Sequence, residues 1–78
     1  MRDVQRIVSD LNSLRDLNQR REAMLNRLWA LGNEFPDADI QTEFERVQQN
    51  TRDRIAVTAV KIDRLEMMYE EALQDAVG

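Results

Sequence analysis

The sequence predicts an all-α protein, a two-helix antiparallel hairpin of coiled-coil type, with a homodimer of hairpins forming a four-helix bundle as its expected assembly. Three observations lead there. From Ile40 through Phe44, Val47, Thr51, Ile55, Thr58, Ile62, Leu65, Tyr69 and Ala72 to Ala76, apolar and small residues recur every three or four positions. At ~100° per residue such positions share one stripe of a single long helix. A second periodic run, Val4, Ile7, Val8, Leu11, Leu14, Leu17, Met24, Leu25, Leu28 and Leu31, precedes it, and the stretch between them carries Gly32 and Pro36.

The whole chain, residues 1–78, reads as one helical-hairpin domain. Helix 1 spans about 3–31, with Asp3 as its N-cap and Leu31–Gly32 as its stop, because glycine readily supplies the left-handed conformation that ends helices. The turn covers 32–38, where Pro36 restricts the backbone and Asp37 or Asp39 is available to cap the second helix. Helix 2 spans about 38–76. A connection this short favours antiparallel neighbours. Folding back at this turn leaves roughly 11 residues of helix 2 overhanging at ~1.5 Å per residue, Met67, Met68, Tyr69 and Leu73 among them. It also brings Arg2 and Arg6 near Glu66 and Glu70.

The same register sets Asn18 and Arg21 beside Gln48 and Thr51, a polar layer that would specify pairing in the middle of an apolar seam. Trp29, Phe35 and Phe44 converge near the turn and are expected to clamp it as an aromatic cluster. Apolar surface is left over. Ala56, Val60 and Met67 fall on the side of helix 2 away from its main stripe, with Val57 between the two. Leu17, Met24 and Leu31, at intervals of seven, lie on one flank of helix 1. Two seams per helix is what a four-helix assembly requires. These residues, with Met68, Tyr69 and Leu73, form the candidate protein-interaction set.

Composition narrows the chemistry. The chain has no Cys and no His, which removes disulfides, thiolate chemistry and zinc sites built from those ligands. A single core in so short a chain supplies only a few kcal/mol, so association is the expected source of further stability. No apolar run approaches ~18 residues, so no membrane span is expected. The charged amino terminus lacks a signal-type apolar core, and a cytoplasmic location is the default expectation.

The net charge of −4 divides unevenly: residues 1–31 hold six Arg against four acids, and residues 32–78 hold five basic residues against eleven acids. Such opposite signs favour pairing of the two halves, within or between chains, over a nucleic-acid surface. Ten of the eleven basic residues are Arg, which points to a GC-rich source, a bacterium or its phage, more than to dedicated carboxylate-bridging forks. The flank formed by Arg2, Arg6, Arg20 and Arg27 reads as a solvated, salt-bridging face.

No catalytic, cofactor-binding or metal-ligating residue is expected. There is no glycine-rich phosphate loop and no nucleophile with a candidate base. The paired acids Asp37 and Asp39, or Glu70 and Glu71, sit at a helix start and on a charged face without further ligands at metal spacing.

Leu14, Arg15, Asp16, Leu17, Asn18, Gln19 and Arg20, followed by Glu22, Leu28 and Phe35, resemble the first helix of the amino-terminal dimerisation region of inhibitor-of-growth proteins. Asp53 to Ile55 through Leu65 and Glu66 resemble its second helix. That resemblance implies a helix-loop-helix homodimer. The connection is shorter here, and the family's zinc-bound histone reader has no counterpart in these residues, so a role in chromatin is not carried over. Small secreted bacterial hairpins, such as type III needle subunits and the family with a Trp-x-Gly turn, are similar in length and layout, although the turn here reads Trp29, Ala30, Leu31, Gly32.

The expected function is therefore a non-enzymatic protein-protein interaction module, a small bacterial or phage adaptor, inhibitor or chaperone-like factor that binds through helical faces. Its expected partners are itself, another protein or both, with no nucleic acid, membrane or small-molecule substrate. The alternatives are a structural subunit of a larger helical assembly or secretion apparatus, and a dimerisation region like that of the inhibitor-of-growth proteins.

Overall fold

The computed structural model describes residues 4–77, and within them two α-helices pack against each other. Helix α1 runs Val4–Glu34 and helix α2 runs Ala38–Val77. No strand occurs among the described residues. The hairpin is a rod of 61 × 14 × 13 Å, its length that of the 40-residue α2 alone at ~1.5 Å per residue.

The packing seam keeps a strict three-four spacing. On α1 the buried and half-buried positions are Val4, Ile7, Leu11, Leu14, Asn18, Arg21, Leu25, Leu28 and Gly32. On α2 the spacing runs Gln41, Phe44, Gln48, Thr51, Ile55, Thr58, Ile62, Leu65, Tyr69 and Ala72, with Ile40, Glu66 and Met68 half-buried at its edges. A repeat of 3.5 residues keeps both stripes facing each other along the rod, as in a left-handed coiled coil. The seam is driest at the end away from the turn, where Ile7 is 6% exposed and Leu11 5%. Full burial of such a side chain contributes about 1.5–3 kcal/mol.

Gly32 does not end α1. The helix continues three residues beyond the expected boundary, and Gly32 is buried within it, with no left-handed glycine among the described residues. The stop comes from Pro36, whose ring disfavours helical backbone at Phe35. The connection is thus 35–37, not 32–38. On its far side the Asp37 carbonyl accepts the Gln41 amide at 2.9 Å, the first turn of α2. Gln41 also ties the helices together: its side-chain Nε2 donates to the Gly32 carbonyl and, at 2.8 Å, to that of Phe35. Two carbonyls left over at the end of α1 are satisfied in this way. The proposed Asp3 cap lies outside the described residues.

With the turn displaced, the pairing is displaced too. Asn18 and Arg21 meet Ile55 and Thr58 instead of Gln48 and Thr51, a slip of one heptad from the expected register. The overhang shrinks accordingly. Tyr69 and Met68 are half-buried in the hairpin, while Met67 and Leu73 stay exposed. Glu66 pairs with Arg15 at 2.7 Å, not with the first turns of α1; Arg2 lies outside the described residues.

Because Gly32 is helical, its replacement is expected to stabilise. A Cβ built there meets Phe44 Cδ2 at 3.6 Å and Gln41 Oε1 at 3.7 Å, ordinary van der Waals contacts. Gly32→Ala should raise stability by roughly 0.5–1 kcal/mol through helix propensity alone, read from urea unfolding. A loss would restore the glycine-stop reading. Gln41→Ala, which frees the two carbonyls, should lower stability by about 1 kcal/mol in the same assay.

Candidate functional site

The seven-residue repeat sorts the surface beside the seam into two flanks of different chemistry. One flank is charged. It carries Arg15 and Glu22 on α1 with Glu45, Arg52 and Glu66 on α2, and a shallow groove there is lined by Val8, Leu11, Asn12, Arg15, Glu66 and Tyr69, among others. Arg15 and Glu66 bridge across it with half-exposed side chains. An ion pair so open to water contributes at most about 1 kcal/mol.

The other flank mixes apolar side chains with Asp10, Arg54 and Lys61. A groove lined by Asp10, Ser13, Leu14, Lys61, Arg64 and Leu65 marks where it begins. Steps of seven from Asp10 reach Leu17, Met24 and Leu31; steps of seven from Lys61 reach Met68 in one direction and Arg54, Val47 and Ile40 in the other. Leu17, Met24, Leu31 and Val47 are all exposed in the lone hairpin. A third apolar surface lies on the back of α2, where Val57, Val60 and Met67 are 58%, 53% and 62% exposed and Ala56 adjoins them. It faces away from α1, because these positions fall between the seam residues Ile55, Thr58, Ile62, Leu65 and Tyr69.

A polar cluster interrupts the seam at mid-rod. Asn18 is buried and donates from Nδ2 to the Ile55 carbonyl at 3.2 Å. Arg21 Nη1 donates to Thr58 Oγ1 at 2.7 Å, to the Arg54 carbonyl at 3.2 Å and to Asn18 Oδ1 at 3.3 Å. Both helix carbonyls use a second lone pair here, beyond their bonds within α2. No buried side-chain nitrogen or oxygen among the described residues lacks a partner. The layer therefore exists, but its members on α2 are Thr58 and two backbone carbonyls. Gln48 and Thr51 sit nearer the turn, where Thr51 is buried and donates its hydroxyl to the Val47 carbonyl at 2.9 Å. Thr58 stands in the periodic stripe of the sequence, yet only the register shows that Arg21 reaches it.

The aromatic residues near the turn do not form the expected buried clamp. Phe44 is half-buried beside Gly32, whereas Trp29 is 64% exposed and Phe35 is exposed. Trp29 lies seven residues beyond Glu22 and so belongs to the charged flank. No helix of the described residues is long and apolar enough to cross a membrane, and no group of three or more His, Cys, Asp or Glu among them is placed to hold a metal ion. What the surface offers is helical faces.

No family model matches the chain, and neither a curated protein nor a solved structure matches it.

The two kinds of polar contact should respond differently to mutation. Asn18→Ala removes a buried bond and leaves Arg21 with one acceptor fewer, and should lower stability by about 1–3 kcal/mol. Arg15→Ala, on the exposed flank, should lower it by less than about 1 kcal/mol. Parallel thermal or urea unfolding of the two variants measures the difference.

Proposed function

We propose that this chain is a non-enzymatic protein-interaction module whose helical faces dock on other helices, and that its assembled form is a homodimer of hairpins, a four-helix bundle. One observation carries the reading. Among the described hydrophobic side chains only Ile7 and Leu11 are buried, while Leu17, Met24, Leu31, Val47, Val57, Val60 and Met67 stand exposed. Scattered apolar residues on a surface are ordinary. Here they recur at helical spacing, in a hairpin whose own buried apolar core is thin.

The area agrees. The hairpin exposes 6360 Å², against about 4,900 Å² for a compact monomer of its mass. The excess, on the order of 1,400 Å², exceeds the ~800 Å² that each partner contributes to a standard interface. In this reading the flank of Leu17, Met24 and Leu31 serves assembly, and the Val57, Val60 and Met67 face is left for a target, as an adaptor, inhibitor or chaperone-like factor requires.

A second reading, a subunit of an open helical assembly, draws on the same two surfaces, because contacts on different sides of a molecule permit growth without closure. Light scattering coupled to size exclusion over a wide concentration range separates the two. A closed dimer saturates and an open assembly keeps growing. The melting temperature of the chain should rise with concentration, and Met24→Asp should weaken association at least tenfold while the chain stays helical at high concentration. A monomer that melts at the same temperature at every concentration would count against the proposal.

A further inference from the structure

Resting on that reading, we infer that association of this chain is sensitive to oxidation: a peroxide that converts Met24, Met67 and Met68 to sulfoxides releases the docking surfaces while leaving the hairpin folded. The placement of sulfur carries this. The chain has four methionines and no cysteine, and Met1 lies outside the described residues. Met24 sits midway between Leu17 and Leu31 on one flank and is 43% exposed, and Met67, on the back of α2, is more open than Val57 or Val60 beside it. Met68 lies half-buried at the edge of the seam, seven residues from Lys61. The best-buried hydrophobic side chains, Ile7 and Leu11, contain no sulfur, nor does the bonded layer of Asn18, Arg21 and Thr58. Every described sulfur atom thus stands on or beside a surface offered for docking, and none at the points that hold α1 to α2.

Hydrogen peroxide transfers one oxygen atom to a thioether. The O–O bond breaks, an S–O bond forms and water leaves, the sulfur losing the two electrons that the peroxide gains. A flexible apolar side chain becomes a polar one with a strong hydrogen-bond acceptor. On the free hairpin that oxygen is hydrated and costs little. Pressed against the apolar side chains of a docked helix it loses its water and gains no donor, so the docked state is destabilised relative to the free one. The exposures are those of the hairpin alone, so the oxidant acts on copies that have come off the assembly and holds them off. Methionine sulfoxide reductases restore the thioether at the expense of a thiol pair, which becomes a disulfide as water is released.

The test compares the full chain before and after dilute hydrogen peroxide, with sulfoxides counted by mass spectrometry and the association constant read from light scattering across concentration. Oxidation should weaken association roughly tenfold or more, while far-UV circular dichroism at high concentration stays helical. Reductase treatment should bring the original constant back. The combined variant Met24→Leu, Met67→Leu and Met68→Leu, which conserves volume, should associate as the parent does and ignore the peroxide. An oxidised chain that associates with an unchanged constant overturns the inference. So does a variant that weakens on peroxide as much as the parent, since the loss then arises at another residue. Loss of helix on oxidation at high concentration overturns it as well, because the damage is then to the hairpin. An untreated chain that stays monomeric at every concentration overturns the wider reading and this inference with it, whereas the other failures leave self-association standing.

Discussion

Two packed helices can hide only one stripe of each from water, and the rest of this molecule depends on how that stripe is used. The seam repeats every 3.5 residues along the rod, which aligns the helices but leaves their flanks and backs uncovered. Even on the seam most side chains are only half-buried, since a neighbour on one side cannot surround them. Association is the physical remedy open to a short chain without cysteine. The apolar flank and the back of α2 are the surfaces on which it can act.

The seam is also not uniformly apolar. Asn18, Arg21 and Thr58 occupy its middle, and Gln41, Gln48 and Thr51 the part nearer the turn. The Arg21 guanidinium is held by a hydroxyl, an amide oxygen and a helix carbonyl, a set that recurs only at heptad steps of the register. Sliding α2 by one heptad would bring Thr51 to the place of Thr58 and keep a hydroxyl for Arg21, so the polar cluster alone does not exclude that slip. The turn excludes it. Gln41 must reach the carbonyls of Gly32 and Phe35, and the dry end must bring Tyr69 to the groove beside Leu11. Local hydrogen bonding at one end and apolar burial at the other select the same register, which is the agreement between levels that a unique fold needs.

The division of the surface has a functional consequence. Exposed charges stay hydrated with little loss of free energy, whereas Leu17, Met24, Leu31, Val57, Val60 and Met67 meet water with apolar surface. Trp29, on the charged flank near the turn, adds a large exposed aromatic surface of the kind over-represented at binding hot spots.

Periodicity, Gly and Pro placement and composition determined the helices, their antiparallel order and the sidedness of Leu17, Met24, Leu31, Val57, Val60 and Met67, because each of these depends on angles of ~100° per residue within a single helix. Spacing of this sort is blind to a shift of seven. Whether Asn18 and Arg21 face Gln48 and Thr51 or Ile55 and Thr58 depends on where α1 stops, and Gly32 favours a helix end only by about 1 kcal/mol, which tertiary contacts can override. Pro36 and the Gln41 side chain settled that point through a contact between residues on both sides of the turn. The burial of Met68 and Tyr69, the meeting of Arg21 with Thr58 and the exposure of Trp29 all descend from it. They are relations between two helices, and only the packed pair decides them.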